Sequence, residues 1–205
     1  MSKLANNPEI AAIHKRLDDL PTGSEIEEAL THELFTVQDV VRYLVSCFAA
    51  HDIYVGHGTD NYWDEALEIV QAVMHLTPPC DDSTLTSRLT QEERSTISKI
   101  ARLRILDRVP TPYLTHRAFF CGKEFYVDSR VIIPRSPIGE LIENGFAPYL
   151  DRDPERVLDM CTGSGCIAIA TALHFEGDTE VDAVDISDEA LEVCNINIQN
   201  YGLEQ

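Results

Sequence analysis

The pattern of apolar and polar positions changes character about halfway along the chain. Up to about residue 108, apolar residues recur at helical spacing, and almost no segment alternates as a half-buried β-strand does. From residue 118 onwards, short β-branched and aromatic segments separate the helical ones. The sequence therefore predicts an α/β protein in which a helical bundle over residues 1–108 precedes a mixed segment.

Three or four amphipathic helices with short connections are predicted in the first part, as in a small bundle. Thr36 has the position of an N-cap, and Thr90 with Glu93 matches a capping box. Acidic residues occupy positions expected of solvated helix faces, and we find no catalytic constellation among them. Helical spacing runs through residues 10–20, 37–48, 61–76 and 90–106, and residues 25–34 form either a further short helix or a connection.

Residues 109–136 are predicted to connect the two parts. The two prolines of RVPTPYLTH, residues 108–116, indicate a hinge between domains. Apolar residues of the segment 118–127 flank Gly122 and Lys123, which predicts a β-hairpin. The β-branched run Val131 to Ile133 predicts a further extended segment.

A helix is predicted directly after this connection. Ser136 would be its N-cap and Pro137 its first residue, and Gly145 lies near its end. Arg135, just in front of the helix, could hold a ligand or pair with a carboxylate. We expect the structural salt bridge.

The segment RVLDMCTGSGCIAIA, residues 156–170, is the one around which the second part is organised. Val157 to Met160 predicts a short buried strand, Cys161-Thr162-Gly163-Ser164-Gly165 a turn, and Cys166 to His174 a helix that packs closely on a sheet. Glycine lets the backbone approach a ligand, and the start of a helix offers free N–H groups. This order of elements is typical of a nucleotide-cofactor site.

A second strand, Glu180 to Asp185, follows about 20 residues beyond the glycine turn. An acidic side chain at the end of such a strand can accept two O–H bonds from a ribose diol, so Asp185 is a candidate ribose ligand. Ser187 is predicted to cap the next helix, residues 188–200.

Composition and charge narrow the class of protein. Of the 205 residues, 44% are apolar, and no apolar run is long enough to span a membrane. The N-terminal residues also lack the apolar core of a signal peptide. These features predict a soluble cytoplasmic protein. The net charge of −19 argues against free nucleic acid as a partner. A negative charge of this size either attracts a basic protein partner or only keeps the protein soluble. The six cysteines have no C-x-x-C spacing, and the histidines have no metal spacing, so we expect reduced, packed thiols and no metal site.

Two cofactors compete for the glycine turn. Gly163-Ser-Gly165-Cys-Ile-Ala168 fits the G-x-G-x-x-A form of a dinucleotide fingerprint, which favours NAD. From Val157 onwards, however, the sequence has ten acidic residues and no Lys or Arg that could hold a pyrophosphate. Acidic walls suit the sulfonium and ammonium groups of S-adenosyl-L-methionine better.

Asp159-Met-Cys-Thr-Gly-Ser-Gly165 with Asp185 resembles the first two motifs of class I S-adenosylmethionine-dependent methyltransferases. Together with the helical part and the hairpin, AFFCGKEFYVDSRVIIPRSPIGELI resembles the protein-glutamine methyltransferases that modify release factors and ribosomal proteins. Cys161 and Arg135-Ser-Pro-Ile-Gly139 point to the ribosomal-protein branch of that family. The resemblance covers nearly the whole chain.

The resemblance implies a fold and roles for residues. Residues 137–205 would be the N-terminal part of a Rossmann-like cofactor-binding domain, and residues 1–108 would recognise a basic ribosomal protein. Oligomeric state stays open. Asp185 would bind the ribose hydroxyls, and the methionine end would be lined by Asp159, Cys161, Thr162, Gly163, Ser164 and Gly165.

The sequence departs from the family pattern at the catalytic motif. The family transfers the methyl group at an Asn-Pro-Pro-Tyr motif, whereas the only Asn-Pro of this sequence is Asn7-Pro8. The resemblance therefore implies that the chain is an N-terminal part of such an enzyme. It would hold half of the cofactor site, contain no catalytic residue and be inactive alone.

Overall fold

The structure, a computed structural model, describes residues 23–176 and 179–203. The helical spacing over residues 10–20 and the dipeptide Asn7-Pro8 lie outside the described residues. The chain divides into two compact units between Thr111 and Pro112. Within the described ranges, no helix has both the length and the apolar character needed to cross a membrane.

The first unit is helical over its described residues. Thr36 and Thr90 are N-caps in complete capping boxes with Asp39 and Glu93, so local sequence defines where two of the helices begin. Asn61 caps a third through the backbone N–H of Asp64. The helices are α1 (Gly23–His32), α2 (Val37–Ala50), α3 (Tyr62–Val73), α4 (Asp82–Thr86) and α5 (Gln91–Leu106).

The apolar faces of these helices form one core, and a buried ion pair lies at its edge. Arg104 Nε donates to Glu65 Oε1 at 2.7 Å, and both side chains are nearly inaccessible to solvent. Thr59 and Thr111 donate their hydroxyl groups to the same carboxylate, each at 2.6 Å. Because Glu65 is paired and hydrogen-bonded, its burial is tolerated. Among the described residues of this unit, the largest fully buried apolar side chains are Ile26, Leu30, Leu44, Phe48, Ile53, Ile69 and Ile97.

The predicted hinge contains a short helix, α6 (Thr111–Thr115). Pro112 lies in its first turn, where the missing N–H of proline breaks no helical hydrogen bond. The predicted β-hairpin is confirmed: β1 (Ala118–Phe120) pairs antiparallel with β2 (Lys123–Phe125) across a turn at Cys121 and Gly122. Both turn residues have positive φ, 47° and 66°.

Two predictions after the hairpin need correction. The segment 131–133 pairs with no strand in the described part of the chain, and Val131 and Ile133 are buried among apolar side chains instead. Pro137 is the N-cap of α7 (Ile138–Glu143) rather than its first residue. Ser136 precedes the N-cap instead of being it. Its hydroxyl oxygen still accepts the N–H of Ile138, the first residue of the helix, at 3.2 Å.

The predicted strand–turn–helix–strand–helix order is confirmed, but the first strand is not buried as expected. Leu158 is 57% and Met160 65% exposed, because no described residue covers that face of the strand. Strand β3 (Arg156–Met160) runs parallel to β4 (Glu180–Val184), and α8 (Cys166–His174) connects them after the glycine turn. Ser187 caps α9 (Asp188–Asn200) by accepting the N–H of Ala190. The described residues thus form a mixed α/β structure in which the ends of β3 and β4 lie side by side.

Candidate cofactor-binding site

The turn between β3 and α8 depends on two glycines for different reasons. Gly163 has a φ of 56°, and a Cβ added there would meet no atom within 4 Å. Gly165 has a φ of 79°, and its Cβ would lie 2.6 Å from the Sγ of Cys194. Gly165 is therefore required by the close approach of α9 to the start of α8. The space over Gly163 is open to a ligand.

The carboxylate of Asp185 lies directly against this turn. Its Oδ2 accepts the backbone N–H of Gly163 at 2.9 Å, and its Oδ1 accepts that of Ser187 at 3.0 Å. The two backbone donors, Ser187 first, lower the pKa of Asp185, which therefore stays ionised in neutral solution. Each carboxylate oxygen accepts one backbone bond and retains acceptor capacity.

Asp159 and Thr162 form a second pair at the same end of the strands. Thr162 donates its hydroxyl to Asp159 Oδ2 at 2.6 Å. The backbone N–H of Thr162 donates to Val184 O at 3.0 Å, which ties the turn to the neighbouring strand. The structure thus brings together Asp159, the turn 161–165 and Asp185, which are the residues that the sequence singles out.

Two residues of this region were missed by the sequence reasoning. Ile186, which follows Asp185, is 99% exposed, although isoleucine is rarely left uncovered. Asn197 on α9 is fully buried and donates to the carbonyl oxygen of Ser164 at 2.8 Å. The sequence places Ile186 beside the predicted ribose ligand, which is a usable signal. It gives none for Asn197, which is one of several polar residues on α9.

Two further predictions about side chains fail at particular residues. All six cysteines are free, as expected, but Cys161 is exposed and only Cys47, Cys166 and Cys194 are buried. Cys161 has a φ of 62° in the turn, which leaves its thiol outside the packed core. Arg135 is exposed and forms no salt bridge with any residue in the described ranges, because the fold brings no described carboxylate within pairing distance of it. Among the described residues no cluster of His, Cys, Asp and Glu could hold a metal ion.

The arrangement as a whole is that of a nucleotide-cofactor site in an α/β protein: a glycine turn between strand and helix, with an acidic residue at the end of the adjacent parallel strand. No family model matches the chain. The ribosomal protein uL3 glutamine methyltransferase of Bordetella pertussis is 49% identical to it over 175 residues, which are 84% of this chain and 58% of that protein. The protein of the same name from Francisella tularensis is 42% identical over 179 residues, 86% of this chain and 57% of that protein.

These similarities confirm the resemblance stated from the sequence. The chain is a homologue of proteins named ribosomal protein uL3 glutamine methyltransferase. It spans less than three fifths of the length of these two relatives: 58% of one and 57% of the other.

Proposed function

We propose that residues 137–205 form the first part of a Rossmann-like, class I methyltransferase domain and bind S-adenosyl-L-methionine. The observation that carries the proposal is the contact of Asp185 with Gly163. It places a carboxylate with remaining acceptor capacity beside a turn whose outer side is open. A ribose diol needs two adjacent oxygen acceptors, and the carboxylate of Asp185 supplies them.

The charge of the region favours a cationic cofactor. The only Lys or Arg on β3, α8, β4 or α9 is Arg156, at the start of β3, and it pairs with Glu180 and Asp182 on the exposed face of the two strands. Asp159 and Asp185 are two carboxylates in hydrogen-bond contact with the turn. A sulfonium and an ammonium group are attracted by two carboxylates, whereas a pyrophosphate would be repelled.

The exposed side chain of Ile186 suits the adenine base. It is 99% exposed and directly follows Asp185, so an apolar surface lies next to the proposed ribose contact. A planar base that covers this side chain removes apolar area from water, worth roughly 25 cal/mol per Å². We assign Ile186 to the base, Asp185 to the ribose hydroxyls and the turn 161–165 with Asp159 to the methionine end.

NAD remains the second candidate, because the turn also fits a dinucleotide fingerprint and the N-terminus of α8 offers free N–H groups. The observation against NAD is that β3, α8, β4 and α9 carry no Lys or Arg other than Arg156, which is paired with Glu180 and Asp182. Titration of the chain with S-adenosylhomocysteine and, separately, with NAD distinguishes the two candidates.

The reaction that we propose for the protein is methylation of a glutamine side-chain amide nitrogen in ribosomal protein uL3, as the names of the two relatives state for them. S-adenosyl-L-methionine supplies the methyl group. An amide nitrogen is a poor nucleophile because its lone pair is delocalised, so the reaction depends on orientation and on hydrogen bonds to the N–H groups. The resemblance assigns that task to Asn-Pro-Pro-Tyr, which is not among these 205 residues. We therefore expect these residues to bind the cofactor without transferring the methyl group.

We assign recognition of the basic substrate to the helical domain, residues 1–108, together with the hairpin. Exposed carboxylates on α1 (Glu25, Glu27 and Glu28) support an electrostatic attraction of a basic protein. A ribosomal substrate also implies a cytoplasmic place of action. If the chain instead acts only as a helical binding module, it will capture uL3 with the same affinity in the presence and absence of S-adenosylhomocysteine and will not bind the cofactor.

A chimera tests the proposed activity. This chain replaces the matching 175 residues of the Bordetella pertussis relative. The chimera is incubated with unmodified recombinant uL3 and S-adenosyl-L-methionine, and the product is analysed by mass spectrometry. We expect one methylated glutamine, a lower yield at limiting S-adenosyl-L-methionine with the chimera carrying Asp185→Ala, and none with residues 1–205 alone. A folded chimera that leaves glutamine unmodified would contradict the proposal.

A further inference from the structure

Asn197 connects three segments that are far apart in the sequence. Its side chain is fully buried on α9. Its Oδ1 accepts the backbone N–H of Tyr126 at 2.7 Å, and its Nδ2 donates to Tyr126 O at 3.0 Å. The same Nδ2 donates to the carbonyl oxygen of Ser164 at 2.8 Å. One side chain thus joins α9, the residue that follows β2 and the cofactor turn.

Only a primary amide of this length satisfies the three bonds. The two N–H donors of Asn197 go to two carbonyl oxygens, and its oxygen accepts one N–H. A carboxylate in the same place could still accept the N–H of Tyr126. It could not donate to the carbonyl oxygens of Tyr126 and Ser164, and its negative charge would be repelled by both. A hydroxyl has a single donor and could not reach both.

The bond to Ser164 fixes more than one atom of the turn. Because the peptide unit is planar, holding the oxygen of Ser164 also orients the N–H of Gly165. That N–H donates to Thr162 O at 2.9 Å, and on the other side of Ser164 the N–H of Gly163 donates to Asp185. Rotation of the Ser164 carbonyl would therefore break the hydrogen bond from Gly165 to Thr162, which closes the turn that contains Gly163.

We propose that Asn197 is a positioning residue that holds the cofactor turn in its binding geometry and couples it to the hairpin segment at Tyr126. This rests on the proposed function, since it concerns the same cofactor site. Asn197 acts through the backbone of Ser164, which is part of the turn assigned to the methionine end, and is not itself assigned a cofactor contact. Ordering of the turn by the cofactor would also stabilise the bonds between Asn197 and Tyr126.

The first test compares two Asn→Asp variants of the full chain. Asn197→Asp removes both donated bonds. Asn195→Asp makes the same chemical change at an exposed position of the same helix. Binding of S-adenosylhomocysteine is measured by calorimetry after circular dichroism has shown that each variant is folded. We expect the dissociation constant to rise at least ~10-fold for Asn197→Asp and less than about 2-fold for Asn195→Asp.

A second measurement needs no variant and applies even if Asn197→Asp does not fold. Residue-resolved hydrogen exchange of the wild-type chain is followed with and without S-adenosylhomocysteine. We expect the cofactor to slow exchange at Gly163 and Gly165 and, together with them, at the N–H of Tyr126. A side chain that merely supports the fold would give no such cofactor-dependent protection at Tyr126.

The results separate the two proposals. If the wild-type chain does not bind S-adenosylhomocysteine, the proposed function fails. If it binds but Asn197→Asp binds equally well, or if Tyr126 is unaffected while both glycines are protected, the cofactor site stands and the role of Asn197 is overturned.

Discussion

The carboxylate of Asp185 accepts the backbone N–H of Gly163 at 2.9 Å, although the two residues lie 22 positions apart. The contact arises because β3 and β4 are parallel and adjacent, so the residues that follow their carboxyl ends meet at one edge. The side chain assigned to the ribose is therefore hydrogen-bonded to the turn assigned to the methionine end. This bond connects the two halves of the proposed cofactor site.

Asp185→Ala should weaken binding of S-adenosylhomocysteine at least ~10-fold, about 1.4 kcal/mol, because both acceptors of the ribose hydroxyls are lost. Asp182→Ala is the matched control. Asp182 lies on the exposed face of β4, where it pairs with Arg156 at 2.8 Å. Calorimetric titration of both variants should show a large rise in the dissociation constant for Asp185→Ala and none for Asp182→Ala. Equal dissociation constants for Asp185→Ala and the wild type would remove Asp185 from the site.

Ile186→Ser should weaken cofactor binding about 3- to 10-fold without lowering the stability of the chain, since the side chain is 99% exposed. Loss of apolar contact with adenine is the reason. Leu106→Ser, at another exposed apolar position in the first unit, controls for nonspecific effects. Thermal unfolding and titration check both points. A variant that is less stable but binds normally would show that Ile186 is covered by protein instead.

The two glycines of the turn should respond differently to alanine. Gly165→Ala should lower the free energy of unfolding by about 2 kcal/mol or more, because positive φ strain adds to overpacking against Cys194. Gly163→Ala should cost only about 1 kcal/mol of strain. It should nevertheless weaken S-adenosylhomocysteine binding about 10-fold, because its methyl group enters the open space. Urea unfolding and calorimetry measure the two effects, and a reversed pattern would contradict the assignment.

The pair of Asp128 and Arg130 gives a pH dependence of stability. The hydrogen-bonded guanidinium of Arg130 lowers the pKa of Asp128 from 3.8 to about 2. Since the folded-state pKa is the lower one, the ionised pair stabilises the fold above about pH 4, and this contribution is lost as the pH falls towards about 2. Asp128→Asn should therefore be less stable than the wild type at neutral pH, by a difference that shrinks below about pH 4. Urea unfolding at several pH values tests this, and a difference that grows on acidification would refute it.

Much of the local structure could be predicted because its signals lie within a few residues of one another. The capping boxes at Thr36 and Thr90 and the cap at Ser187 define helix starts that the structure reproduces. The apolar segment before the glycine turn and the β-branched alternation after it were sufficient to predict two strands, which the structure pairs in parallel.

What the sequence did not reveal depends on contacts between distant residues. Asn197 bonds to Tyr126, 71 positions away, and to Ser164, 33 positions away, and no local pattern distinguishes it from Asn195 or Asn200. Arg135 failed as a salt-bridge residue because pairing depends on which carboxylates the fold brings near it. The hinge prediction weighted two prolines as breakers, whereas Pro112 is accommodated in the first turn of α6.

We propose that this chain holds an S-adenosyl-L-methionine site and not a dinucleotide site. Calorimetric titration of residues 1–205 with S-adenosylhomocysteine and, separately, with NAD tests it most directly. We expect one equivalent of S-adenosylhomocysteine to bind, with affinity that Asp185→Ala reduces, and no heat of binding with NAD. Binding of NAD without binding of S-adenosylhomocysteine would contradict the account.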